Sequence, residues 1–291
     1  MTFEVDLLKD QGITGLNLSM RGLTELLPKI GMLKKLEWLD LSDNKLRVLP
    51  PEIGQLLNLK SLYVGRNRLR TLPPEIGQLL NLQELYLWNN ELKEIPPEIG
   101  LLTNLQIIDL GLNYLTALPR GIGHLLSLHK LFLGDNQLRA LPTEIGQLIN
   151  LRILDLQHNQ LSVLPQEISR LKNLQELDLR GNPGNPLPIP PEILEKTDNP
   201  ESIITWYLTN VLTKAAKRPL NEAKMILVGQ GAVGKTSLVK KLIDDEFDPL
   251  QDMTKGIEIR RWKTGSEGGE IKLNVWDFGG QEILHSTHQF F

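Results

Sequence analysis

Leucine-rich segments return at a fixed interval over most of the chain. The first clear copy begins at Leu36, and the same order of apolar and polar positions starts again every 23 residues. Apolar and polar residues alternate at the start of each copy, which predicts a short β-strand with its leucines on one face. The apolar residues that follow predict a return path on the opposite side. Because no single copy can bury its own leucines, the pattern predicts a stacked solenoid with a shared core.

Each copy has the form LxxLxLxxNxLxxLPxxIxxLxx and closely resembles the leucine-rich repeat family. A degenerate copy at Ile13, with Arg21 in place of the asparagine, brings the expected number of repeats to eight. An asparagine side chain carries both a donor and an acceptor, so stacked asparagines are expected to satisfy backbone groups in the turns. The regular copies begin at Leu36, Leu59, Leu82, Leu105, Leu128, Leu151 and Leu174, and their asparagines are Asn44, Asn67, Asn90, Asn113, Asn136, Asn159 and Asn182.

The outward positions of the strands lie on the concave side of such a solenoid, and their side chains do not pack in the core. Aromatic residues occupy many of them in the first half and carboxylates in the second half. This arrangement predicts a face that binds a protein partner, because aromatic residues are enriched at interfaces. The alternative is that some rings only cover neighbouring residues and that the carboxylates are only solvated. The expected partner face contains Trp38, Tyr63, Tyr86, Trp88 and Phe132, together with Asp40, Asp109, Asp155, Asp178 and Arg180.

A proline-rich stretch ends the repeats, and a linker helix is expected after it. Asn199 followed by Pro200 is typical of a helix start. Apolar residues from Ile203 to Leu212 then recur at helical spacing, and Pro219 is the expected stop. This helix is expected to cap the last repeat, to couple the solenoid to the segment that follows, or to do both.

A glycine-rich segment with the chemistry of a phosphate-binding loop follows the apolar strand Ala223 to Val228. GQGAVGKT satisfies the pattern G-x-x-x-x-G-K-[ST] between a predicted strand and a predicted helix. Its main-chain N–H groups would approach phosphate oxygens, Lys235 would bridge the β- and γ-phosphates, and Thr236 would bind Mg²⁺. The alternative is a glycine-rich turn with an exposed lysine. The expected phosphate-binding residues are Gly229, Gln230, Gly231, Ala232, Val233, Gly234, Lys235, Thr236 and Ser237.

The nucleotide base requires a second motif, since several classes of ATPase share this loop. The segment WDFGGQE closely resembles the switch II entry of Ras-like GTPases. The resemblance implies that Asp277 holds Mg²⁺ through water and that the Gly280 N–H contacts the γ-phosphate. It also implies that Gln281 orients the attacking water, which makes Gln281 and Lys235 the expected catalytic residues.

The segment before switch II is predicted to form a β-hairpin. Its first strand runs from Gly256 to Trp262, and TGSEGG is expected to form the turn into the second strand. Thr254 lies just before the first strand, where the switch I threonine of Ras-like GTPases would stand. The expected metal ligands are therefore Thr236, Thr254 and Asp277.

The order of repeats, phosphate loop and switch II resembles the Roco family over essentially the whole chain. The resemblance implies an α/β protein, a leucine-rich repeat solenoid followed by the N-terminal part of a Ras-like P-loop GTPase domain named Roc. Its expected cofactors are GTP or GDP and Mg²⁺. It also implies a COR dimerisation domain beyond Roc, so that the intact protein is expected to be a homodimer. The expected layout is an N-terminal cap at 1–12, the solenoid at 13–194, the linker helix at 195–222 and a partial Roc domain at 223–291.

The chain stops at Phe291, shortly after switch II and before any [NT]KxD motif that would read guanine. Residues 1–291 alone are therefore expected to bind GTP weakly or not at all, whereas the intact protein is expected to be a GTP-hydrolysing signalling switch. Two alternatives stay open at this point. One is a non-enzymatic repeat scaffold with an inert P-loop domain, and the other is an ATP-dependent switch.

The composition excludes some classes of binding partner and predicts the cellular compartment. The formal net charge is −3, and no long basic block is present, which argues against nucleic acid or an anionic membrane as the main partner. The sequence has no cysteine, no recognisable signal peptide and no apolar run near the roughly 20 residues of a membrane span. A cytoplasmic protein is the expectation.

Overall fold

The computed structural model describes residues 12–182, 189–212, 222–227, 237–238, 240–241, 257–266 and 269–278. The chain divides into two compact units, Met1–Thr213 and Lys214–Phe291. The first unit contains the repeats and the helices that follow them. The second contains a three-stranded sheet.

One strand from each repeat contributes to a parallel sheet that has eight strands in the described part of the first unit. Adjacent strands pair at equivalent positions, for example Leu39 with Leu62, so each repeat reproduces the geometry of the one before. The stacked solenoid expected from the 23-residue period is confirmed. The strands are β1 Gly15–Asn17, β2 Trp38–Asp40, β3 Ser61–Tyr63, β4 Glu84–Tyr86, β5 Ile107–Asp109, β6 Lys130–Phe132, β7 Ile153–Asp155 and β8 Glu176–Asp178.

Short 3₁₀ helices return the chain on the other side of the core. Most begin directly after the proline of the LP pair, whose fixed φ is compatible with a helix start. Gly77 allows the next repeat to stack closely, because a Cβ at this position would lie 2.6 Å from the carbonyl oxygen of Glu98. Within the described residues, these helices are Pro28–Met32, Pro51–Gln55, Pro74–Gln78, Pro97–Leu101, Arg120–His124, Thr143–Gln147 and Gln166–Arg170.

The core lies between the sheet and the 3₁₀ helices. In the fourth repeat, the strand residue Leu85, the next leucine Leu87 and the 3₁₀ residue Ile99 are fully buried. The same positions are buried in the neighbouring repeats, which gives one continuous apolar core. Its burial is the main stabilising contribution to the solenoid.

The repeated asparagines connect each turn to the preceding repeat. The Asn67 side chain donates to the carbonyl oxygens of Leu41 and Val64, at 2.9 and 3.1 Å. Its oxygen accepts the N–H of Leu46 at 3.0 Å. The expectation that these asparagines satisfy backbone groups of the turns is confirmed.

A second row of asparagines, which was not predicted, lies at the opposite end of the strands. Asn81 donates to the carbonyl oxygen of Leu57 in the preceding repeat, at 2.8 Å, and its surroundings are exposed. The row therefore links successive repeats at the surface, where water competes for the same groups. Its members are Asn58, Asn81, Asn104, Asn150 and Asn173.

Two helices follow the last repeat, α1 Pro191–Leu194 and α2 Pro200–Tyr207, and one turn of π-helix continues α2 over Leu208–Leu212. Asn199 caps α2 by accepting the N–H of Ser202, as the sequence predicts. Tyr207 is buried, and its hydroxyl accepts the N–H of Leu164 at 3.0 Å and donates to the Leu164 carbonyl at 3.3 Å. This contact supports the capping role. Coupling stays a prediction, and Pro219 lies outside the described residues.

The second unit contains strands β9 Glu222–Leu227, β10 Ile257–Ser266 and β11 Gly269–Phe278. Their order is β10-β11-β9, with β11 antiparallel to β10 and parallel to β9. The hairpin turn is shorter than TGSEGG, because the ladder extends to the pair Ser266 and Gly269. Described residues after the phosphate motif, 237–238 and 240–241, are helical.

Candidate nucleotide site and binding face

One edge of the three-stranded sheet collects the segments that carry the predicted nucleotide site. Asp277 near the end of β11 pairs with Leu227, the last residue of β9. Gly229, the first residue of the phosphate motif, follows only two positions later. The first residue of β10, Ile257, pairs with Phe278 at the same edge. Three separate parts of the sequence therefore converge where the strands end.

The edge also has the residue types that a magnesium nucleotide requires. Asp277, an aspartate, is paired in β11 at this edge, and the hydroxyl residues Thr236 and Thr254 belong to sequence segments that adjoin β9 and β10. Carboxylate and hydroxyl oxygens are hard donors of the kind that Mg²⁺ prefers. Thr254 is three residues before Ile257, so the chain between them can span at most about 10 Å. The donor set and the topology fit Mg²⁺.

Most of the predicted site residues lie outside the described part of the chain. Asp277 is described within β11, and Ser237 is helical and half-buried. The assignments of the phosphate loop, switch I and switch II side chains stay predictions. The residues outside the described ranges are Gly229, Gln230, Gly231, Ala232, Val233, Gly234, Lys235, Thr236, Thr254, Gly280 and Gln281.

The first and third residues of each solenoid strand form a second candidate surface, here named the open face. The middle residue of each strand is buried, as Leu62 is between Ser61 and Tyr63, so its neighbours point away from the core. Tyr63 and Tyr86 stack on this face with 4.9 Å between ring centroids and an angle of 6° between planes.

Two tryptophans of the predicted partner face cover glycines of the preceding repeat. A Cβ on Gly15 would lie 2.0 Å from Trp38 Nε1, and one on Gly65 would lie 2.5 Å from Trp88 Nε1. Arg66 lies over the Trp88 ring, 5.0 Å from its centroid. The covering interpretation therefore applies in part to both tryptophans, although Trp38 stays 43% exposed.

The carboxylates of the open face are not merely solvated. Asp109 accepts the N–H of Gly111 at 3.0 Å, and Asp155 accepts the N–H of Gln157 at the same distance. Asp40 makes the same local bond in its own repeat. Each carboxylate thus holds the turn after its strand and is half-buried.

Burial raises the pKa of Asp109, and the negative charge of Asp155 adds to the rise, although the Gly111 N–H lowers it in part. Burial also raises the pKa of Asp155. Asp178 differs, because burial raises its pKa but the bonds and charge of Arg180 outweigh that effect and leave it below the ordinary value. The Arg180 Nε donates to Asp178 Oδ1 at 3.0 Å.

Asp109→Asn is expected to raise the melting temperature slightly at neutral pH. The raised pKa means that the native state holds the proton more tightly than the unfolded chain, so the ionised carboxylate opposes folding. That effect fades as the pH falls through the raised pKa toward the ordinary value of 3.8, and the difference between variant and wild type should fade with it. Asparagine keeps an oxygen for the Gly111 N–H. The measurement is thermal unfolding as a function of pH.

Asp178→Asn is the matched comparison, because the pKa of Asp178 is shifted the other way. It should lower the melting temperature at neutral pH, and its effect should also fade in acid. An equal fall for Asp109→Asn at neutral pH would show that the Asp109 carboxylate stabilises the solenoid.

Glu84 is a member of the open face that the sequence did not single out. Its Oε2 accepts the hydroxyls of Tyr63 and Ser61, at 3.0 and 3.2 Å. These bonds fix the edge of the stacked tyrosine pair. Its position as the first residue of β4, two residues before Tyr86, is the signal that places it on the same face.

Neither a membrane span nor a metal cluster is present in the described residues. None of the helices there has the length and apolar content needed to cross a bilayer. No three histidine, cysteine, aspartate or glutamate side chains gather there as a metal site.

Comparison with known proteins supports the assignment of both parts of the chain, the repeats and the segment that follows them. The family model described as Ras of Complex, Roc, domain of DAPkinase matches residues 224–291, and leucine-rich repeat models match 34–75, 80–138 and 126–183. A Roc-COR-CHAT protease from an unknown prokaryotic organism is 34% identical over 37% of this chain and 12% of its own length. The probable serine/threonine-protein kinase roco11 of Dictyostelium discoideum is 34% identical over 29% of this chain and 6% of its own. The chain thus combines leucine-rich repeats with a Roc domain, the combination that the resemblance to the Roco family implies.

The segment that matches the Roc model is also similar in sequence to Ras-related proteins. Ras-related protein Rab-18 of Caenorhabditis elegans is 41% identical over 22% of this chain and 32% of its own length. The chain thus spans less than a third of the length of each of these relatives.

Solved structures resemble the solenoid. The leucine-rich repeat domain of the type III effector XCV3220 (XopL) aligns with a TM-score of 0.57 and 30% identity, over 63% of this chain and 67% of that one. The plant peptide hormone receptor RGFR1, in complex with RGF2, aligns with a TM-score of 0.54 and 40% identity, over 58% of this chain and 28% of that one.

Proposed function

We propose that this Roco protein binds GTP and GDP with Mg²⁺, hydrolyses GTP as a molecular switch, and binds a protein partner through its solenoid. The observation that carries the nucleotide part is the pairing of Asp277 with Leu227 at the edge where β9 runs into the phosphate motif. A coincidental glycine-rich turn has no reason to begin beside the aspartate of a switch II motif. The match of the Roc model and the similarity to Rab-18 support guanine over adenine.

In this proposal the protein binds the phosphates mainly through its main-chain N–H groups. The N–H groups from Gly229 to Thr236 surround the phosphate oxygens, and the helix that follows directs its positive end toward them. Lys235 bridges the β- and γ-phosphates as a point charge. The glycines are required because a side chain would hold the backbone away from the anion.

Thr236, Thr254 and Asp277 would hold Mg²⁺ at the same edge, with Asp277 acting through water. When bound, Mg²⁺ neutralises part of the phosphate charge. The Gly280 N–H contacts the γ-phosphate, and Gln281 orients a water molecule for attack on it. These residues position the reactants and stabilise charge, which is most of what phosphoryl transfer requires of a protein.

The partner part of the proposal rests on the open face. Its stacked tyrosines and accessible carboxylates are rigidly held by the sheet beneath them. A related repeat structure was solved with a peptide hormone in complex, which supports a protein or peptide as the ligand class. Homodimerisation through a COR domain and a cytoplasmic location stay predictions.

Gln281→Leu in the intact protein should slow GTP hydrolysis about tenfold or more while nucleotide affinity changes little, because Gln281 acts on the attacking water and not on the bound phosphates. Phosphate release gives the rate, and a fluorescent GTP analogue gives the affinity. Gln289→Leu makes the same chemical change outside the proposed site and should hydrolyse GTP at the normal rate.

The same titration tests which nucleotide base the site selects, and whether the protein binds a nucleotide at all. Unlabelled GTP should displace the analogue, and ATP should not. Equal displacement by ATP would make the protein an ATP-dependent switch, whereas no binding of either nucleotide would favour the non-enzymatic scaffold.

A further inference from the structure

The open face carries a column of outward residues that are all carboxylates or aromatic rings. They are the third residues of strands β2 to β8, which lie side by side in the sheet. No basic residue interrupts this column, so it presents negative charge and π-electron faces to an approaching ligand. Its members are Asp40, Tyr63, Tyr86, Asp109, Phe132, Asp155 and Asp178.

Asp109 and Asp155 flank Phe132, because β6 pairs with β5 on one side and β7 on the other. Within the described residues neither carboxylate forms an ion pair, whereas Asp178 is paired with Arg180. Lys130 lies on the same strand as Phe132, and it forms no ion pair with Asp109 or Asp155. Two carboxylates without an ion-pair partner therefore lie on both sides of one aromatic ring, and Arg180 acts on Asp155 only at longer range.

Both carboxylates are also partly removed from water, which strengthens their attraction for an incoming cation. The ring between them adds to this attraction, since a cation over an aromatic face is stabilised by its π-electrons. All three side chains thus favour the same kind of ligand.

Two glycines lie beside this group. The outward position two residues beyond the column residue is Gly111 in one repeat and Gly134 in the next, whereas Trp88 and Gln157 occupy it on either side. A Cβ on Gly134 would lie 3.1 Å from Asp155 Oδ2, so any side chain there would crowd the carboxylate. The same Cβ would lie 3.0 Å from Gln157 Cγ, so the backbone at Gly134 packs closely against the side chains of the next repeat.

The residue between the two aspartates distinguishes an organic cation from a metal ion. Strands β5 and β7 are two steps apart, or about 10 Å, and Phe132 lies on the strand between them. Its ring supplies no oxygen, whereas a calcium ion takes about six to eight oxygen ligands. A guanidinium or ammonium group over the Phe132 ring would lie about 5 Å from each flanking strand, within reach of both aspartates.

We infer that the partner presents an arginine or lysine side chain to Phe132 between Asp109 and Asp155, on an extended segment that continues over the stacked rings of Tyr63 and Tyr86. This inference rests on the proposed partner binding and specifies its chemistry. Charge complementarity determines the cationic part. The apolar tyrosine faces, two and three strands away, select an apolar or aromatic residue elsewhere in the same segment.

A displayed library of random peptides, selected on the full chain, tests the inference. Peptides of about ten residues suffice, because an extended chain at about 3.3 Å per residue crosses the roughly 34 Å between the first and last of eight strands. The selected peptides should be rich in arginine or lysine, and added salt should weaken their binding.

Asp109→Asn with Asp155→Asn should reduce the affinity of the selected peptides about tenfold or more, measured by fluorescence anisotropy. Thermal unfolding separates such a result from loss of fold, since the double variant should melt no lower than the wild type at neutral pH. Glu75→Gln with Glu98→Gln removes the same charge from two 3₁₀ helices on the other side of the core, and it should leave the affinity unchanged.

The remaining outcomes separate this inference from partner binding itself. An alternative outcome of the selection is a set of neutral or acidic peptides whose binding falls with Tyr86→Ala but not with the aspartate changes. That result would keep the open face as the partner surface and would overturn the inference of a cationic ligand. Binding that none of these changes affects, or a library without any binder, would overturn both.

Discussion

Asn113→Ala should lower the free energy of unfolding of the solenoid by about 3–5 kcal/mol, because it leaves several buried backbone groups without partners. The Asn113 oxygen accepts the N–H of Leu92 at 3.1 Å. Its amide donates to the carbonyl oxygens of Leu87 and Leu110, at 3.1 and 3.0 Å. Only 4% of the residue is exposed, so water cannot replace these bonds without opening the turn.

Chemical denaturation of the full chain, followed by far-ultraviolet circular dichroism, measures the effect. Asn104→Ala is the matched control, because Asn104 is in the same region of the array but makes its bond to the Leu80 carbonyl at the surface. It should lower the free energy of unfolding by no more than about 1 kcal/mol. Equal effects of the two changes would show that burial does not determine the strength of the asparagine contacts.

The sequence predicts the asparagine contacts well because one side chain type carries both hydrogen-bonding functions at a fixed spacing. The period specifies the register, since a shift by one residue would turn Leu85 out of the core. The exposed asparagines have the same period, yet their role could not be derived, because polar residues at a surface do not require partners. The three-dimensional stacking of Asn81 on Leu57 was needed to show it.

Local backbone conformation was less predictable. Leu112 has a φ of 55°, in the left-handed region that leucine disfavours. Its N–H donates to the Gly134 carbonyl at 2.9 Å, and its own carbonyl accepts the N–H of Asn90 at 3.2 Å. Bonds to both neighbouring repeats therefore hold the residue there against its intrinsic preference. A single repeat contains no sign of this, because the stacked neighbours impose the conformation.

The predicted nucleotide site likewise combines features that follow from the sequence with features that do not. The motifs predict the chemistry of Lys235 and Asp277 from residue types and spacing alone. They do not give the sheet order, in which β11 lies between β9 and β10 and so brings Asp277 beside Leu227. The position of the hairpin turn was also not derivable, because glycines can continue a ladder, as Gly265 opposite Glu270 does.

The open face was predicted as a row of residues, and its internal contacts were not. Alternation identifies which side chains point outward, so the aromatic residues and carboxylates could be assigned to one face. The stacking of Tyr63 on Tyr86 and the cover that Trp88 gives to Gly65 depend on side-chain directions between repeats. These contacts distinguish rings that are held in place from rings that are free to bind.

Lys235→Ala in the intact protein should weaken GTP binding roughly 10²-fold, which is about 2.8 kcal/mol. The phosphate motif begins two residues after Leu227, at the edge that Asp277 shares, and the lysine is its only side chain that brings positive charge to the phosphates. Main-chain N–H groups remain in the variant, so binding should weaken and not vanish. A fluorescent GTP analogue gives the affinity directly.

Lys272→Ala removes the same charge at the opposite edge of the sheet, where Lys272 pairs with Glu222 at the start of β9, and it should leave the affinity unchanged. Partner binding by the solenoid should survive in both variants, because the open face belongs to the other unit. GTP affinity that is the same in the Lys235 variant as in wild type would show that the phosphates do not lie at this edge. The protein would then bind GTP at another place, while the open face of the repeats would keep its proposed role, since that surface depends on none of the nucleotide residues.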